Sequence, residues 1–205
     1  MEGSDHRIVT RPRVGIFGGT FDPIHVGHLA IARAALESVP LDRILFVLAK
    51  RSPLKERAPV ASEADRLAML ERVVADETNF GVSRIELDRE GPSYTIDTLE
   101  ELKGEGDLHL ILGGDALADF PRWRQAERIA QLAHLVVADR PGAPKPPSDV
   151  PYTLFDAPRL DLSSRELRGR AARGRSLRYL VPNVVWRYIE ERGLYRVEGS
   201  PSRHS

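Results

Sequence analysis

Short apolar runs alternate along the chain with segments whose apolar residues recur at helical spacing. Runs without internal alternation are typical of strands covered on both faces, and they occupy residues 14–17, 44–49, 80–87, 108–112 and 135–138. Helical periodicity between the runs predicts helices at residues 29–39, 65–76, 95–103 and 123–131. This order predicts a Rossmann-like, doubly wound α/β fold with a mostly parallel sheet and helices on both faces. Ligands in such folds bind at the carboxyl ends of the strands.

The composition favours one globular domain. The chain has 205 residues, of which 41% are hydrophobic and 29% are charged, and this is enough to bury one sizeable core without a second domain. We expect a single domain over residues 12–197, between flexible polar tails at residues 1–11 and 198–205.

Charge and cysteine content narrow the expected partners and compartment. Thirty basic residues balance thirty acidic ones. The chain therefore lacks the overall positive charge that would predict a nucleic acid or a membrane as partner. No apolar stretch approaches the length of a membrane span, and no charged leader precedes an apolar segment. The chain contains no cysteine, which leaves the cytoplasm as the simplest compartment.

A glycine pair and two histidines follow the first predicted strand. Gly18 and Gly19 are expected to end that strand and to let the backbone turn tightly beside a ligand. Pro23 biases the residue before it toward extended geometry, so a helix is expected to start near His25. Unpaired amides at a helix start favour an anion. On that helix His25 and His28 would share one face, with Cβ atoms about 5–6 Å apart, so that both imidazoles donate to one phosphate.

Two other interpretations of this stretch stay open on the local sequence. It contains neither G-x-x-x-x-G-K-S/T nor G-x-G-x-x-G, so the two common phosphate-loop patterns do not apply. A His-x-x-His pair can ligate zinc, although the chain lacks cysteine and its other four histidines form no ligand cluster. The histidines can also simply cap or pack a strand-turn-helix unit. Motifs later in the chain decide among these interpretations.

The run from Gly19 to His28 resembles the G-x-F-D-x-x-H-x-G-H signature of the HIGH superfamily of adenylyl- and cytidylyltransferases. Within that superfamily the chain is similar to the bacterial nicotinate-nucleotide adenylyltransferases, from about residue 14 to residue 196. The resemblance implies that both histidines are catalytic. It also implies that Thr20 contacts both substrates and that ATP is bound by Gly18, Gly19, Thr20, Phe21, His25 and His28.

A cationic loop after the second predicted strand carries part of the resemblance. The family usually has Pro-Pro-His-Lys or Pro-Pro-His-Arg here, whereas this chain has Ser52-Pro53-Leu54-Lys55, with leucine in place of the histidine. The resemblance makes Lys55 a catalytic cation that neutralises the polyphosphate as charge moves toward the leaving pyrophosphate. A solvated surface loop is the alternative.

Two further segments point to a pyridine nucleotide. Pro-Ser-Tyr-Thr at residues 92–95 is typical of the enzymes that act on nicotinate mononucleotide, in which amides around the Tyr-Thr pair donate to the nicotinate carboxylate. The resemblance therefore assigns Tyr94 and Thr95 to the substrate. It places Asp115 at the nucleotide site and stacks Trp123 on the pyridine ring. Taken alone, these residues can also be helix caps or packing residues.

The last cluster begins at a predicted helix start. The family motif Ile-Ser-Ser-Thr-x-Ile-Arg matches Leu162, Ser163, Ser164 and Arg168, with Arg165 replacing the threonine. The resemblance assigns Ser163, Ser164 and Arg168 to ATP and makes Arg168 catalytic. The arginines that follow at residues 170–178 are interpreted as a solvated face.

The resemblance implies transfer of the adenylyl group of ATP to nicotinate mononucleotide, giving nicotinate adenine dinucleotide and pyrophosphate in NAD synthesis. Mg²⁺ would be held mainly through ATP phosphates and water, without a dedicated carboxylate cage. The expected partners are the two small molecules, with neither nucleic acid nor membrane, and a homo-oligomer is left open. The alternatives are phosphopantetheine or nicotinamide mononucleotide as acceptor, and a nucleotide-binding regulator without turnover.

Overall fold

The computed structural model describes residues 11–50, 58–139 and 149–196. The strands within these ranges are Arg13–Gly19 (β1), Arg43–Leu48 (β2), Phe80–Ser83 (β3), Asp107–Gly113 (β4), Ala133–Asp139 (β5) and Tyr152–Asp156 (β6). The helices are Val26–Ser38 (α1), Glu63–Val74 (α2), Thr95–Leu102 (α3), Gly114–Asp119 (α4), Ala126–Leu132 (α5), Ser164–Ala172 (α6) and Asn183–Arg192 (α7), with a 3-10 turn at Phe120–Arg122. None of the helices in these ranges is long and apolar enough to span a bilayer. Lys55 and nearly all of the two predicted tails lie outside the described residues.

The six strands form one parallel sheet in the order β3-β2-β1-β4-β5-β6. The central strand β1 pairs with β2 on one side and β4 on the other, and Val14 lies opposite both Arg43 and Leu108. The chain order therefore reverses between β1 and β4, which is where doubly wound sheets open a crevice for ligands. The predicted doubly wound α/β fold is confirmed.

Each face of the sheet carries its own apolar core. Successive strand residues point to opposite faces, so Phe17 packs with buried residues of α1, α2, α6 and α7, whereas Ile16 packs with buried residues of α3, α4 and α5. Helices thus cover both faces of the sheet, as the alternation of elements predicted. The apolar runs are continuous because both faces of the central strands are buried.

Some element boundaries differ from the sequence prediction. Strand β1 does not end before the glycines but continues through them to Gly19, pairing with β2 as far as Leu48. The chain turns later, at Phe21, whose φ is 45°. Strand β3 stops at Ser83 because residues 84–88 form a tight turn. The turn is closed by hydrogen bonds from the Leu87 and Asp88 amides to the Arg84 carbonyl.

Strand β6 was missed in the sequence, and the start of helix α5 was predicted wrongly. Strand β6 has a single buried residue, Phe155, so it gives no apolar run in the sequence. Helix α5 begins at Ala126 rather than at Trp123, because the chain first makes a 3-10 turn with Pro121 in its first positions. Trp123 therefore lies in a connection between helices.

Candidate active site

A cavity of about 650 Å³ opens at the carboxyl ends of β1 and β4, where the strand order reverses. Six of the residues assigned to the site from the sequence line it, namely Gly18, Gly19, Thr20, Tyr94, Thr95 and Trp123. Three charged residues that the sequence analysis did not single out also line it, namely Glu86, Arg122 and Arg124. The fold thus brings together residues that lie up to about 100 positions apart in the chain.

The two glycines at the end of β1 are needed for different reasons. A Cβ atom on Gly19 would lie 2.6 Å from the Phe21 ring, so a side chain there collides with the core. A Cβ atom on Gly18 would meet nothing within 4 Å. Gly18 therefore presents bare backbone to the cavity, and a ligand can approach the main chain closely at this position.

Phe21 packs in the core beside Gly19 and does not line the cavity. Its ring is 2% exposed and packs edge-on against Phe17, His28 and Phe46, with centroids 5.9, 5.1 and 5.7 Å away. The Phe21 side chain is therefore part of the core.

His25 and His28 lie side by side as the spacing predicted, but His25 precedes α1 instead of belonging to it. His25 is the N-cap of α1, with extended backbone, and its ring stacks on that of His28 with centroids 3.7 Å apart. The His25 amide donates to His28 Nδ1 at 3.3 Å. Because Nδ1 accepts this bond, a neutral His28 carries its proton on Nε2, the ring atom that can act as donor.

His25 itself is held in its neutral form. It is 5% exposed, and burial lowers its pKa from 6.5 to about 4. Its Nδ1 atom has no hydrogen-bond partner within the described part of the chain. The pair thus consists of a buried, uncharged imidazole stacked under a half-buried one.

The start of α1 offers fewer unpaired amides than predicted. The Val26 amide donates to the Leu180 carbonyl at 3.2 Å, and the His28 amide donates to the His25 carbonyl at 3.0 Å. The segment before α7 therefore consumes the first donor of the helix. Anion binding at this end of α1 has to rely on the imidazoles and on the backbone at the end of β1.

The predicted ATP residues of α6 clamp the loop between β1 and α1 instead of lining the cavity. Ser163 caps α6 in a capping box with Glu166. Ser164 Oγ donates to the Pro23 carbonyl at 3.0 Å, and Arg168 Nη1 donates to the Asp22 carbonyl at 2.6 Å. Helix α6 therefore begins beside the start of α1.

Asp22 is the centre of this clamp, although the sequence analysis gave it no role beyond the signature. The carboxylate is 2% exposed and accepts bonds from the Val60 and Ala61 amides at 2.8 and 3.1 Å. It also accepts from Tyr195 Oη at 2.8 Å and lies 3.5 Å from Arg168 Nη1. One buried carboxylate thus joins the loop between β1 and α1 to the segment before α2, to α6 and to the segment after α7.

A second buried ion, Arg66, holds the ends of β1 and β2. Its side chain on α2 is fully buried and donates from Nη1 to the Thr20 carbonyl at 2.9 Å and the Ala49 carbonyl at 2.7 Å. Burial lowers the pKa of Arg66, and the nearby charge of Asp22 opposes this shift. A lone arginine on a helix is usually interpreted as a surface residue, so its sequence position gave no signal.

At the far end of the cavity an aromatic surface meets a helix start. Tyr94 is the N-cap of α3 and Thr95 its first residue. The Arg124 guanidinium lies 4.6 Å from the centroid of the Tyr94 ring. Trp123 packs on Phe120 with centroids 5.5 Å apart. Backbone donors beside flat apolar groups suit an aromatic ring with an anionic substituent.

Glu86 is the carboxyl group buried at this end of the cavity. It is 9% exposed and accepts a bond from Thr98 Oγ1 at 2.8 Å. Burial raises its pKa above the usual value, and the bond from Thr98 and the charge of Arg89 partly offset that shift.

Asp115, the remaining carboxylate assigned from the sequence, and Lys50, the residue after the end of β2, do not line the cavity. Asp115 sits in the first turn of α4, whose N-cap is Gly113, and it is exposed. Lys50 Nζ donates to the Arg89 carbonyl at 3.0 Å. Within the described ranges, no group of three or more histidine or acidic side chains is placed to hold a metal ion.

Comparison with known proteins gives close relatives over most of the chain. A cytidylyltransferase-like family model matches residues 16–170. A protein of Roseiflexus castenholzii named probable nicotinate-nucleotide adenylyltransferase is 50% identical over 199 residues, covering 92% of this chain and 100% of the relative. A protein of the same name from Thermus thermophilus is 47% identical over 187 residues, covering 90% of this chain and 100% of the relative.

Solved structures share the fold at low sequence identity. Plasmodium falciparum nicotinic acid mononucleotide adenylyltransferase complexed with APC is 19% identical and superposes with a TM-score of 0.67, covering 90% of this chain and 97% of that chain. The same enzyme complexed with NaAD is 19% identical and gives a TM-score of 0.69 over the same shares. Similarity at this level of identity establishes the fold alone.

Proposed function

The chain belongs to the cytidylyltransferase-like family and, within it, to the nicotinate-nucleotide adenylyltransferases, and from this premise we propose that it transfers the adenylyl group of ATP to nicotinate mononucleotide. The products are nicotinate adenine dinucleotide and pyrophosphate, in NAD synthesis. The observation that carries the proposal is the convergence of Gly18, Thr20, Tyr94, Thr95 and Trp123 on one cavity where the strand order reverses.

The transfer requires positioning rather than a covalent nucleophile. The phosphate of the mononucleotide attacks the α-phosphorus of ATP in line, so the protein holds two anions together and stabilises the charge that develops. The bare backbone at Gly18 lets phosphate approach the end of β1. His28 supplies an Nε2–H donor, and His25 fixes the ring orientation of His28 and leaves its Nδ1 as acceptor.

The ATP polyphosphate is proposed to lie toward the paired starts of α1 and α6. Arg168 is 27% exposed in its side chain while it clamps Asp22, so part of its guanidinium remains accessible to a phosphate. Ser163 and Ser164 are assigned to the same end because they open α6. Lys55 and Asp115 keep the ATP roles that the family resemblance implies.

The pyridine ring is proposed to lie between Trp123 and the start of α3. The amides of Tyr94 and Thr95 donate to the nicotinate carboxylate, and Trp123 stacks on the cationic ring. Arg122 and Arg124 line the same cavity and add positive charge beside the carboxylate.

Magnesium is proposed to enter with ATP. Its charge would be shared by the polyphosphate oxygens and water. A cytoplasmic location and assembly into a homo-oligomer stay predictions from the sequence.

A pyrophosphate-release assay tests the proposal. The purified protein with ATP and Mg²⁺ is expected to release pyrophosphate when nicotinate mononucleotide is added, and far less with nicotinamide mononucleotide or phosphopantetheine. A preference for the amide would reassign the acceptor. Absence of release with all three, with ATP still bound, would favour a nucleotide-binding regulator.

A further inference from the structure

Glu86 is a buried carboxyl group that the proposed reaction does not use. It lies in the turn after β3 and lines the cavity together with Tyr94, Thr95 and Thr98. A carboxylate beside the subsite proposed for the nicotinate carboxylate is electrostatically unfavourable, because like charges repel. The contacts of Glu86 indicate a different role.

Glu86 contacts the segment at the start of α3 on both sides. Thr98 Oγ1 donates to Glu86 Oε1 at 2.8 Å, and Ser93 Oγ lies 3.5 Å from the Glu86 carbonyl oxygen. Ser93 and Thr98 flank Tyr94 and Thr95, whose amides are assigned to the nicotinate carboxylate. Because Ser93 is 6% and Thr98 2% exposed, these contacts are shielded from water.

The charged groups around Glu86 are compatible with this role. Arg89 is the cation whose charge acts on it, and Arg89 is itself paired with Glu101 on the outer side of α3. Arg122 and Arg124 line the same cavity. Within these charges the bond from Thr98 Oγ1 ties the Glu86 side chain to α3.

We propose that Glu86 is a positioning residue that sets the preference for the acid over the amide, by bracing the Tyr94–Thr95 amides through its bond to Thr98. The inference rests on the proposed function. Hydrogen bonds from amides to a carboxylate are stronger than those to a neutral carboxamide. Loosening the amides therefore weakens binding of the acid more than binding of the amide.

Paired substitutions at both ends of the bond provide the test. Glu86→Ala and Thr98→Val remove the bond, whereas Glu86→Gln and Thr98→Ser keep an acceptor and a donor. The first pair is expected to raise KM for nicotinate mononucleotide about tenfold and to lower the acid-to-amide ratio of kcat/KM about tenfold. KM for ATP should stay within about twofold, and the second pair should stay within about threefold of wild type.

Glu100→Ala is the matched control. Glu100 lies on the same helix but pairs with Arg128 and Lys103 away from the cavity, so it should leave the ratio unchanged. A parallel rise in KM for nicotinate mononucleotide and for ATP overturns the role of Glu86. An unchanged acid-to-amide ratio of kcat/KM in Thr98→Val does so as well. If Glu86→Ala fails to fold, the near-isosteric comparison of Thr98→Val with Thr98→Ser decides. Loss of wild-type activity with nicotinate mononucleotide would instead overturn the proposed function.

Discussion

At the scale of single residues, the histidine pair divides its work between a donor and a support. His28 presents Nε2–H because its Nδ1 accepts from the His25 amide. Replacing His28 by alanine is expected to lower kcat by about 10²–10³, the usual cost of losing one well-placed donor to a transition state. Steady-state kinetics with both substrates at saturation measure the loss.

The control for His28 is His134, an exposed histidine at the amino end of β5, on the opposite edge of the sheet. His134→Ala should keep wild-type kcat. A His28→Ala variant that folds normally and loses less than about threefold in kcat would remove His28 from the catalytic group.

His25 makes the stability of the protein depend on pH. Its pKa is about 4 in the folded state, against 6.5 for an exposed histidine. Between these values the unfolded chain binds the proton that the folded chain excludes, so stability is full above pH 6.5 and falls as the pH drops toward 4. The loss attributable to His25 is at most about 3 kcal/mol.

His25→Asn removes this titration and keeps a residue suited to an N-cap. The free energy of unfolding in urea should fall between pH 7.5 and pH 5 by less in the variant than in the wild type, by about 1–2 kcal/mol. Equal losses in the two proteins would mean that His25 takes up its proton over the same pH range in the folded and unfolded states.

Trp123 is expected to act on one substrate alone. Its stacking on a cationic pyridine contributes roughly 0.5–2 kcal/mol, so Trp123→Ala should raise KM for nicotinate mononucleotide by a few-fold to about thirtyfold. KM for ATP should hardly change, and Trp123→Phe should retain most of the affinity because it keeps an aromatic face. Equal effects on both KM values would place Trp123 outside the substrate pocket.

Sequence reasoning identified residues whose chemistry is visible in a short motif. Gly18, Thr20, Tyr94 and Trp123 were predicted for the site and do line one cavity. Glu86 was missed, because a carboxyl group becomes informative only when it is seen to be buried next to a donor from another element.

At the scale of elements, the end of β1 shows two glycines with separable roles. Gly18→Ala adds a methyl group in open space on the cavity wall, so stability should change by less than about 0.5 kcal/mol. The same methyl group intrudes where the polyphosphate approaches the backbone, and ATP affinity should fall about tenfold. Thermal unfolding and isothermal titration with ATP measure the two effects.

Gly19→Ala is the matched comparison and should behave in the opposite way. Its methyl group would lie 2.6 Å from the Phe21 ring, so the ring has to move and the protein should lose about 1–3 kcal/mol of stability. If Gly18→Ala leaves ATP affinity unchanged, the polyphosphate does not pass over the end of β1.

The prediction of elements succeeded where burial on both faces gives a long apolar run. Strand β4 has four buried apolar residues within Leu108–Leu112, and it was identified correctly. Strand β6 is an edge strand with mostly exposed or half-buried residues, so hydrogen bonding to β5 alone defines it. The extension of β1 through two glycines is likewise a consequence of pairing with β2, which local propensity opposes.

At the scale of the whole molecule, Asp22 connects parts of the chain that are far apart in sequence. Its contacts join the loop after β1 to the segment before α2, to Arg168 on α6 and to Tyr195 after α7. Burial of Asp22 and the bond from Tyr195 are part of the same arrangement, and the Tyr195 hydroxyl pKa is raised by its own burial and by the charge of Asp22. Asp22 is thus a structural centre that joins the loop between β1 and α1 to three later parts of the chain.

Removing one partner at a time should reveal this coupling. Tyr195→Phe deletes one bond to a carboxylate that keeps two amide donors, so it should lower the free energy of unfolding by about 1–2 kcal/mol. Asp22→Ala leaves the tyrosine and two amides without their acceptor and removes the ion pair with Arg168, so the loss should be about 3–5 kcal/mol. Tyr179→Phe, at a tyrosine that is 80% exposed, serves as the control and should be neutral.

The double variant Asp22→Ala, Tyr195→Phe distinguishes a shared centre from two independent contacts. Once the carboxylate is gone the Tyr195 hydroxyl has lost its partner, so deleting that hydroxyl should add less than about 0.5 kcal/mol to the loss of Asp22→Ala alone. Urea unfolding of all four proteins gives the coupling energy. Additive losses would show that the Tyr195 hydroxyl and the Asp22 carboxylate contribute to stability independently of each other.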